Sequence, residues 1–376
     1  MNFEFSEEQN LLREQARGFL AQACSPGLVR KVLNGQETGD NTLAGKIAEM
    51  GWNATVIPEK YDGLGLSYFE LCVIAEEMGR AVAPTSFSSS VYLATEALLL
   101  AGTAKQKSKW LPKLASGEVR GTFAMAEGPG RTTPKSLNTT FARDKVKGVK
   151  APVADAAVAD FAVILVKANG GDGASLVLVD MKSQGVTHEP VAMIDPTRDH
   201  AAVSFEGASG ELLGEKGSGW TLTQKLLNRA AVLFAWEQVG GADAALEQAK
   251  NYAMGRYAFG RPIASYQAIK HKLAHMYVKN TLARSNCYYG AWALATSAKE
   301  LPLAAATARV AAIHAYEFAS REDIQTHGGM GFTWEFDCQF HYRRSRLLSV
   351  NIGSLGQWQD KLVDAYLSAN GASNAA

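Results

Sequence analysis

A chain of 376 residues, 47% of them apolar, is too long for one ordinary core and implies two or three packed domains. Its 38 Lys and Arg balance 37 Asp and Glu, which removes the net field expected when nucleic acid or an anionic membrane is the main partner, so any anion site is local. Cys24, Cys72, Cys287 and Cys338 stand far apart without a Cys-x-x-Cys pair, which excludes a disulfide framework or thiolate metal centre and implies buried thiols in a reducing compartment.

The acidic start Met1-Asn-Phe-Glu-Phe-Ser-Glu-Glu-Gln has no basic region followed by an apolar run. No segment reaches the ~18 continuous apolar residues of a membrane span. Cytoplasmic residence is the resulting expectation.

Ser6 and Gln9 read as a capping box, followed by Leu11, Leu12, Ala16, Phe19 and Leu20 at helical spacing. The loop Pro58–Ser67 interrupts that pattern, and helices are predicted again over 68–79 and 91–101, with Trp110 to Gly117 closing a helical domain at residues 1–119. Over 120–220 the texture changes to short β-branched runs, among them Phe161-Ala-Val-Ile-Leu-Val and Ala174-Ser-Leu-Val-Leu-Val, with the turn-rich Asn169 to Gly173 between them. This predicts an antiparallel, barrel-like β domain. Helical periodicity then returns over 221–254, 266–297, 301–326 and 336–368, which predicts a four-helix bundle in residues 221–376 and an α+β multidomain protein. Only the tail from Ser368 reads as disordered.

One stretch carries chemistry: Arg256-Tyr-Ala-Phe259-Gly260 followed by Gln267 and His271. A guanidinium can fork onto pyrophosphate oxygens, an aromatic ring offers a face to adenine, and an amide adds hydrogen bonds without charge. Together they suit one large anionic, aromatic ligand.

The three-part organisation, Arg256-x-x-Phe259-Gly260 and Gln325-Thr-His-Gly328-Gly329-Met-Gly331 resemble the acyl-CoA dehydrogenase family, a likeness that covers nearly the whole chain. Glu76-Glu77-Met-Gly79-Arg80, Gln106 to Pro112 and Leu213 to Trp220 match it in order and spacing. The resemblance implies flavin adenine dinucleotide (FAD) as cofactor, an acyl-CoA substrate and a hetero- or homotetramer, with electron-transfer flavoprotein as a further partner. It assigns Arg256, Phe259, Gln267, Gln325, Gly328 and Gly329 to the adenosine diphosphate half of a neighbouring subunit's FAD. No nucleic acid partner follows from it.

The same resemblance demands a glutamate base, and here the chain departs from the pattern. One family position lies 17 residues beyond the Glu335 equivalent and falls on Ile352, before Gly353; the other lies 26 residues before Arg256 and falls on Ala230. Neither side chain takes a proton. Glu237, about two helical turns beyond Ala230, is the nearby substitute, against the plainer reading of a bundle salt bridge. Where the family carries a Thr-Glu-Pro loop and a Lys-x-Trp-Ile-Thr-Asn strand, this chain has Ala126-Glu127-Gly and Lys150-Ala-Pro152-Val-Ala154-Asp155, and Ser354-Leu355-Gly356 retains only part of the contacts after the base.

The resemblance therefore implies a base-deficient subunit of a heteromeric enzyme, of a kind that serves fatty acid or steroid side-chain catabolism. Two alternatives are a self-sufficient homotetramer with a displaced base and a flavin-dependent monooxygenase on the same fold. Other features have plain readings. His271 and His275 lack a third metal ligand and read as bundle packing or interfacial hydrogen bonds, Gly240-Gly241 as a close helix crossing, and Arg343-Arg344-Ser-Arg346 as interface salt bridges and helix surface. No metal site is expected.

Overall fold

The structure, a computed structural model, describes residues 4–38, 40–168 and 173–371. It divides into two units, one of Met1–Lys31, Tyr68–Ala83 and Ala231–Ala376, the other of Val32–Ser67 and Pro84–Ala230. The helical segment expected over 1–119 is thus shared between both units.

In chain order the first helices are α1 (Glu7–Ala23), α2 (Pro26–Leu33), α3 (Gly45–Glu49), α4 (Tyr68–Arg80), α5 (Glu96–Ala101) and α6 (Ala104–Ala115), with a π-helical stretch at Ser88–Thr95. The strands that follow are β1 (Gly121–Ala124), β2 (Thr140–Ala142), β3 (Lys145–Ala154), β4 (Phe161–Ala168), β5 (Ala174–Asp180), β6 (Val186–Pro190) and β7 (His200–Leu213). The remainder comprises α7 (Gly219–Gly255), β8 (Tyr257–Ala258), β9 (Arg261–Pro262), α8 (Gln267–Ala295), α9 (Leu301–His327), α10 (Cys338–Leu348) and α11 (Leu355–Ala369).

In the second unit the β domain closes on itself. From β4 the pairing runs through β2, β3, β7 and β5, and β5 pairs back to β4, while β1 adds to β4 and β6 to β7. Closure leaves these five strands without a free edge. Most pairings are antiparallel, but β1–β4 and β2–β4 are parallel, because these strands are joined through long connections rather than hairpins. Val146, Val153, Ile164, Val166, Val177, Val179, Val203 and Phe205 fill the interior. Phe161 through Val166 are buried throughout, which is why β4 reads as a continuous apolar run. Trp110 of α6 lies on the Phe161 ring, centroids 4.6 Å apart.

In the first unit the Ser6–Gln9 capping box forms as predicted, with Gln9 N donating to Ser6 Oγ at 3.2 Å and Ser6 N to Gln9 Oε1 at 3.0 Å. Gly79 and Gly240 make the close crossing of α4 and α7. A Cβ at Gly79 would stand 1.8 Å from the Glu237 carbonyl oxygen, and one at Gly240 would stand 1.8 Å from that of Glu76. Backbone meets backbone there, and only glycine permits it. At Gly241 a Cβ would strike the Tyr316 ring at 2.4 Å.

The last predicted helix is broken. Gly353, at φ +116, ends the Ser349–Gly353 connection after α10, and Ser354 starts α11 by accepting from Gln357 N. Ser368 and Ala369, read as the start of a disordered tail, belong to α11, while 372–376 lie outside the described residues. The turn expected at Asn169 to Gly173 lies outside them too, apart from Gly173. All four cysteines are free and buried. Among the described residues no helix is long and apolar enough to cross a membrane, and no group of three or more His, Cys, Asp or Glu could hold a metal ion.

Candidate cofactor-binding surface and family base positions

Helix α7 ends at Gly255, and β8 and β9 pair as a two-residue hairpin, Ala258 opposite Arg261. Phe259 (φ +52) and Gly260 (φ +80) form its tip, where a tight hairpin needs two left-handed residues. The Tyr266 hydroxyl donates to the Ala258 carbonyl at 2.9 Å, Ile263 N donates to the Arg256 carbonyl at 2.8 Å, and the Arg261 guanidinium lies 4.1 Å from the Tyr266 ring centroid. This fastening leaves Arg256 and Gln267 exposed, and the Phe259 ring is 96% exposed.

Helix α9 ends at His327. Gly328 follows at φ +61 and ψ −136, a backbone region essentially reserved for glycine. A Cβ at Gly328 or Gly329 would meet nothing within 4 Å, whereas one at Gly331 would stand 2.4 Å from the Ile324 carbonyl oxygen. The turn is therefore packed at Gly331 and open at Gly328-Gly329, with Gln325 exposed on the helix that leads into it. A guanidinium, an unburied aromatic ring, two amides and an open glycine backbone fit the phosphates and adenine of FAD.

His327 differs from these neighbours. It is buried, with Nδ1 2.9 Å from the Asp323 carbonyl oxygen and 3.1 Å from Asp323 Oδ1. Burial opposes the imidazolium, but Asp323 outweighs it and raises the His327 pKa, while burial pushes the Asp323 carboxyl up to about 6. The aspartate four residues before the histidine was the signal for this pair in the sequence.

Ile352 and Ala230, the positions at which the sequence resemblance expects the base, are both buried and apolar. Arg309 fastens the connection that carries Ile352, donating from Nη2 to Asn351 Oδ1 at 2.7 Å and to the Leu348 carbonyl, and from Nη1 to Gln238 Oε1 at 2.6 Å. Burial pushes this guanidinium down to about 9, opposed by the charge of Glu237.

Glu237 is fully buried and pairs with Arg344, Nη1 to Oε1 at 3.4 Å. Arg344 also donates to the carbonyls of Val82 and Ala83 at 3.3 Å. This corrects the reading of the Arg343-Arg344-Ser-Arg346 cluster as interface salt bridges and helix surface at Arg344 alone. Arg344 points into the bundle, Arg346 reaches Glu317 at 3.0 Å and Arg343 lies over the Trp334 ring, because successive residues of a helix face different ways. His271 and His275 are both exposed on α8, which removes bundle packing from their reading and leaves interfacial hydrogen bonding.

In the second unit, Glu127 of the altered loop accepts from Asn138 N at 2.6 Å, Thr139 N at 3.0 Å and Lys150 Nζ at 2.7 Å. Lys150 is wholly buried, and burial pushes its ammonium down to about 8 against the pull of Glu127. Burial alone would raise the Glu127 carboxyl, but Lys150 and the two amides hold it below the usual carboxylate range. Sequence reasoning missed this pair, which ties the loop to β3. Along that strand Pro152 is exposed and Ala154 half-buried, while buried Asp155 accepts from Ser89 Oγ at 2.5 Å.

The fold is that of the acyl-CoA dehydrogenases: butyryl-CoA dehydrogenase from Megasphaera elsdenii superposes with a TM-score of 0.91 over 98% of this chain and 100% of that one, at 22% identity. A variant of the steroid ACAD Tcur3481-Tcur3483 superposes at 0.87 over 98% and 99%, with 26% identity. The acyl-CoA dehydrogenase N-terminal domain matches residues 6–118, and the C-terminal domain of the same name matches 217–356. Acyl-CoA dehydrogenase IpdE2 of Mycolicibacterium smegmatis is 32% identical over 341 residues, 90% of this chain and 93% of that protein. The chain belongs to the acyl-CoA dehydrogenase family, FAD-dependent oxidoreductases acting on a CH–CH bond of an acyl-CoA.

Proposed function

We propose that this chain is the base-deficient subunit of a heteromeric acyl-CoA dehydrogenase and donates the adenosine-diphosphate-binding half of a partner subunit's FAD site. The observation that carries the reading is a contrast. Phe259 is 96% exposed beside exposed Arg256 and Gln267, whereas both base positions are buried and apolar. A ring left so fully in water finds its use when a ligand held by another chain covers it.

In this reading Arg256 would hold the pyrophosphate and Phe259 the adenine, with Gln267, Gln325 and the Gly328-Gly329 backbone completing the cradle. FAD supplies the hydride acceptor. Ile352 and Ala230 cannot hold the α-proton of the thioester, so a carboxylate of the partner takes that role. Glu237 is a poor displaced base, because its carboxylate is enclosed and paired with Arg344. The steroid ACAD structure whose name joins Tcur3481 and Tcur3483 supports a paired arrangement as a precedent.

The chain is to be purified alone and after co-expression with an adjacent paralogue that carries the missing glutamate. Expected are a colourless product alone and a yellow, acyl-CoA-bleachable complex with the paralogue. A yellow homo-oligomer of this chain that bleaches on adding acyl-CoA overturns the proposal.

A further inference from the structure

His327 stands inside the motif that carries Gln325, Gly328 and Gly329, yet it faces inward while they face out. Its imidazole is boxed by aromatic rings: Tyr252 lies 4.2 Å away between centroids at 31°, and Phe336 lies 5.6 Å away at 65°. Tyr252 and Phe336 meet each other edge-on at 6.0 Å. The histidine Nδ1 faces Asp323, whose side chain is wholly buried, and among the described residues the one ion pair of that carboxylate is with His327.

The turn folds back onto this box. A Cβ at Gly331 would stand 3.2 Å from His327 Cβ as well as 2.4 Å from the Ile324 carbonyl oxygen, so the turn packs directly against the base of the histidine side chain. The box also lines a cleft of about 630 Å³.

We propose that His327, locked by Asp323 and the Tyr252–Phe336 rings, is the positioning residue that holds Gln325 and the Gly328-Gly329 turn in the form that receives FAD. The inference rests on the cofactor reading above, and it assigns a role to a residue that does not itself touch the ligand. Positioned hydrogen-bonding groups behind a binding surface act by restricting it to its productive geometry.

The pairing also makes cofactor binding pH-dependent. As pH rises through the raised His327 value the imidazolium charge is lost, the hold on Asp323 weakens and FAD affinity falls. Other charged or titratable groups face the same box: Arg80 of α4, Glu247 of α7, and Glu335, Asp337 and His341 on the segment leading into and through α10. They are common to wild type and variants, whereas Asp323, pushed up to about 6, titrates together with His327, so the difference between profiles reports the His327–Asp323 pair.

The test measures the FAD dissociation constant of the full-length protein, in whichever assembly holds FAD, across neutral pH for wild type, His327→Phe, His327→Asn and Arg256→Ala. His327→Phe keeps a ring in the box but loses the donor. It is expected to weaken FAD binding about tenfold, the equivalent of losing the Nδ1 hydrogen bond to the Asp323 carbonyl together with the charge contact to its carboxylate, and to alter the pH profile. His327→Asn retains an N–H where Nδ1 stands and is expected to recover part of the affinity without restoring the wild-type pH profile. Wild-type affinity and pH profile in His327→Phe overturn the positioning role, whatever Arg256→Ala does. Unchanged affinity in Arg256→Ala instead overturns the cofactor reading itself, so the two failures are distinct.

Discussion

Replacing Phe259 by alanine separates ligand binding from folding better than any other change in this chain. The ring is 96% exposed, so its removal forfeits almost no buried area. The residue sits at φ +52, and alanine keeps a Cβ in the same left-handed region, leaving the hairpin's backbone cost nearly unchanged. Stability should therefore stay within ~0.5 kcal/mol of wild type, as at most surface positions. If the ring stacks on adenine, its loss removes ~1–3 kcal/mol of stacking. That weakens FAD binding by about 5- to 150-fold. Flavin fluorescence titration of the assembled protein reads the affinity, and thermal unfolding of the flavin-free protein reads the stability. An affinity within about twofold of wild type would refute the assignment of Phe259 to the cofactor. So would a fall in flavin-free stability as large as the fall in binding.

Three further outcomes follow from the same geometry. Glu237→Gln weakens the pair with Arg344 and should cost ~1–3 kcal/mol in unfolding free energy while turnover of the assembled enzyme stays within about twofold; a hundredfold loss of turnover at unchanged stability would make Glu237 the base after all. Gly240→Ala drives a Cβ to 1.8 Å from the Glu76 carbonyl oxygen and should lower the thermal midpoint by at least the ~1–3 kcal/mol typical of overpacking, whereas Gly329→Ala, with nothing within 4 Å, should leave that midpoint in place. Burial and the positive charge of Arg80 and Arg344 push the His341 imidazole down to about 3, below its ordinary 6.5, so the unfolded chain binds the proton first. Stability is then lost progressively as pH falls from about 6.5 toward 3, and urea titrations should show that slope diminished in His341→Gln.

Much of the architecture was legible because its signals are local. Helical period alone placed α7, α8 and α9 to within a few residues, the Ser6–Gln9 box announced α1, and the β-branched run at Phe161 marked a strand. Gly240-Gly241 foretold a close crossing, since glycine in a helix carries a cost that such contact offsets. The motifs at Arg256 and Gln325 were readable for the same reason: their chemistry lies in residue types at short spacing.

What the tertiary structure decided depends on partners far away in the chain. Glu237 and Arg344 are 107 residues apart, and no periodicity tells a buried ion pair from a candidate base or from a surface cluster. The parallel β2–β4 pairing within the closed barrel, the Glu127–Lys150 tie and the Arg309 clamp on the Ile352 connection are likewise long-range. From the sequence come the candidate residues for an anionic aromatic cofactor and the apolar residues Ile352 and Ala230 where the resemblance expects an acid. The fold alone decides which of those residues reach water and which lie sealed in the core, because burial depends on which distant segments pack together.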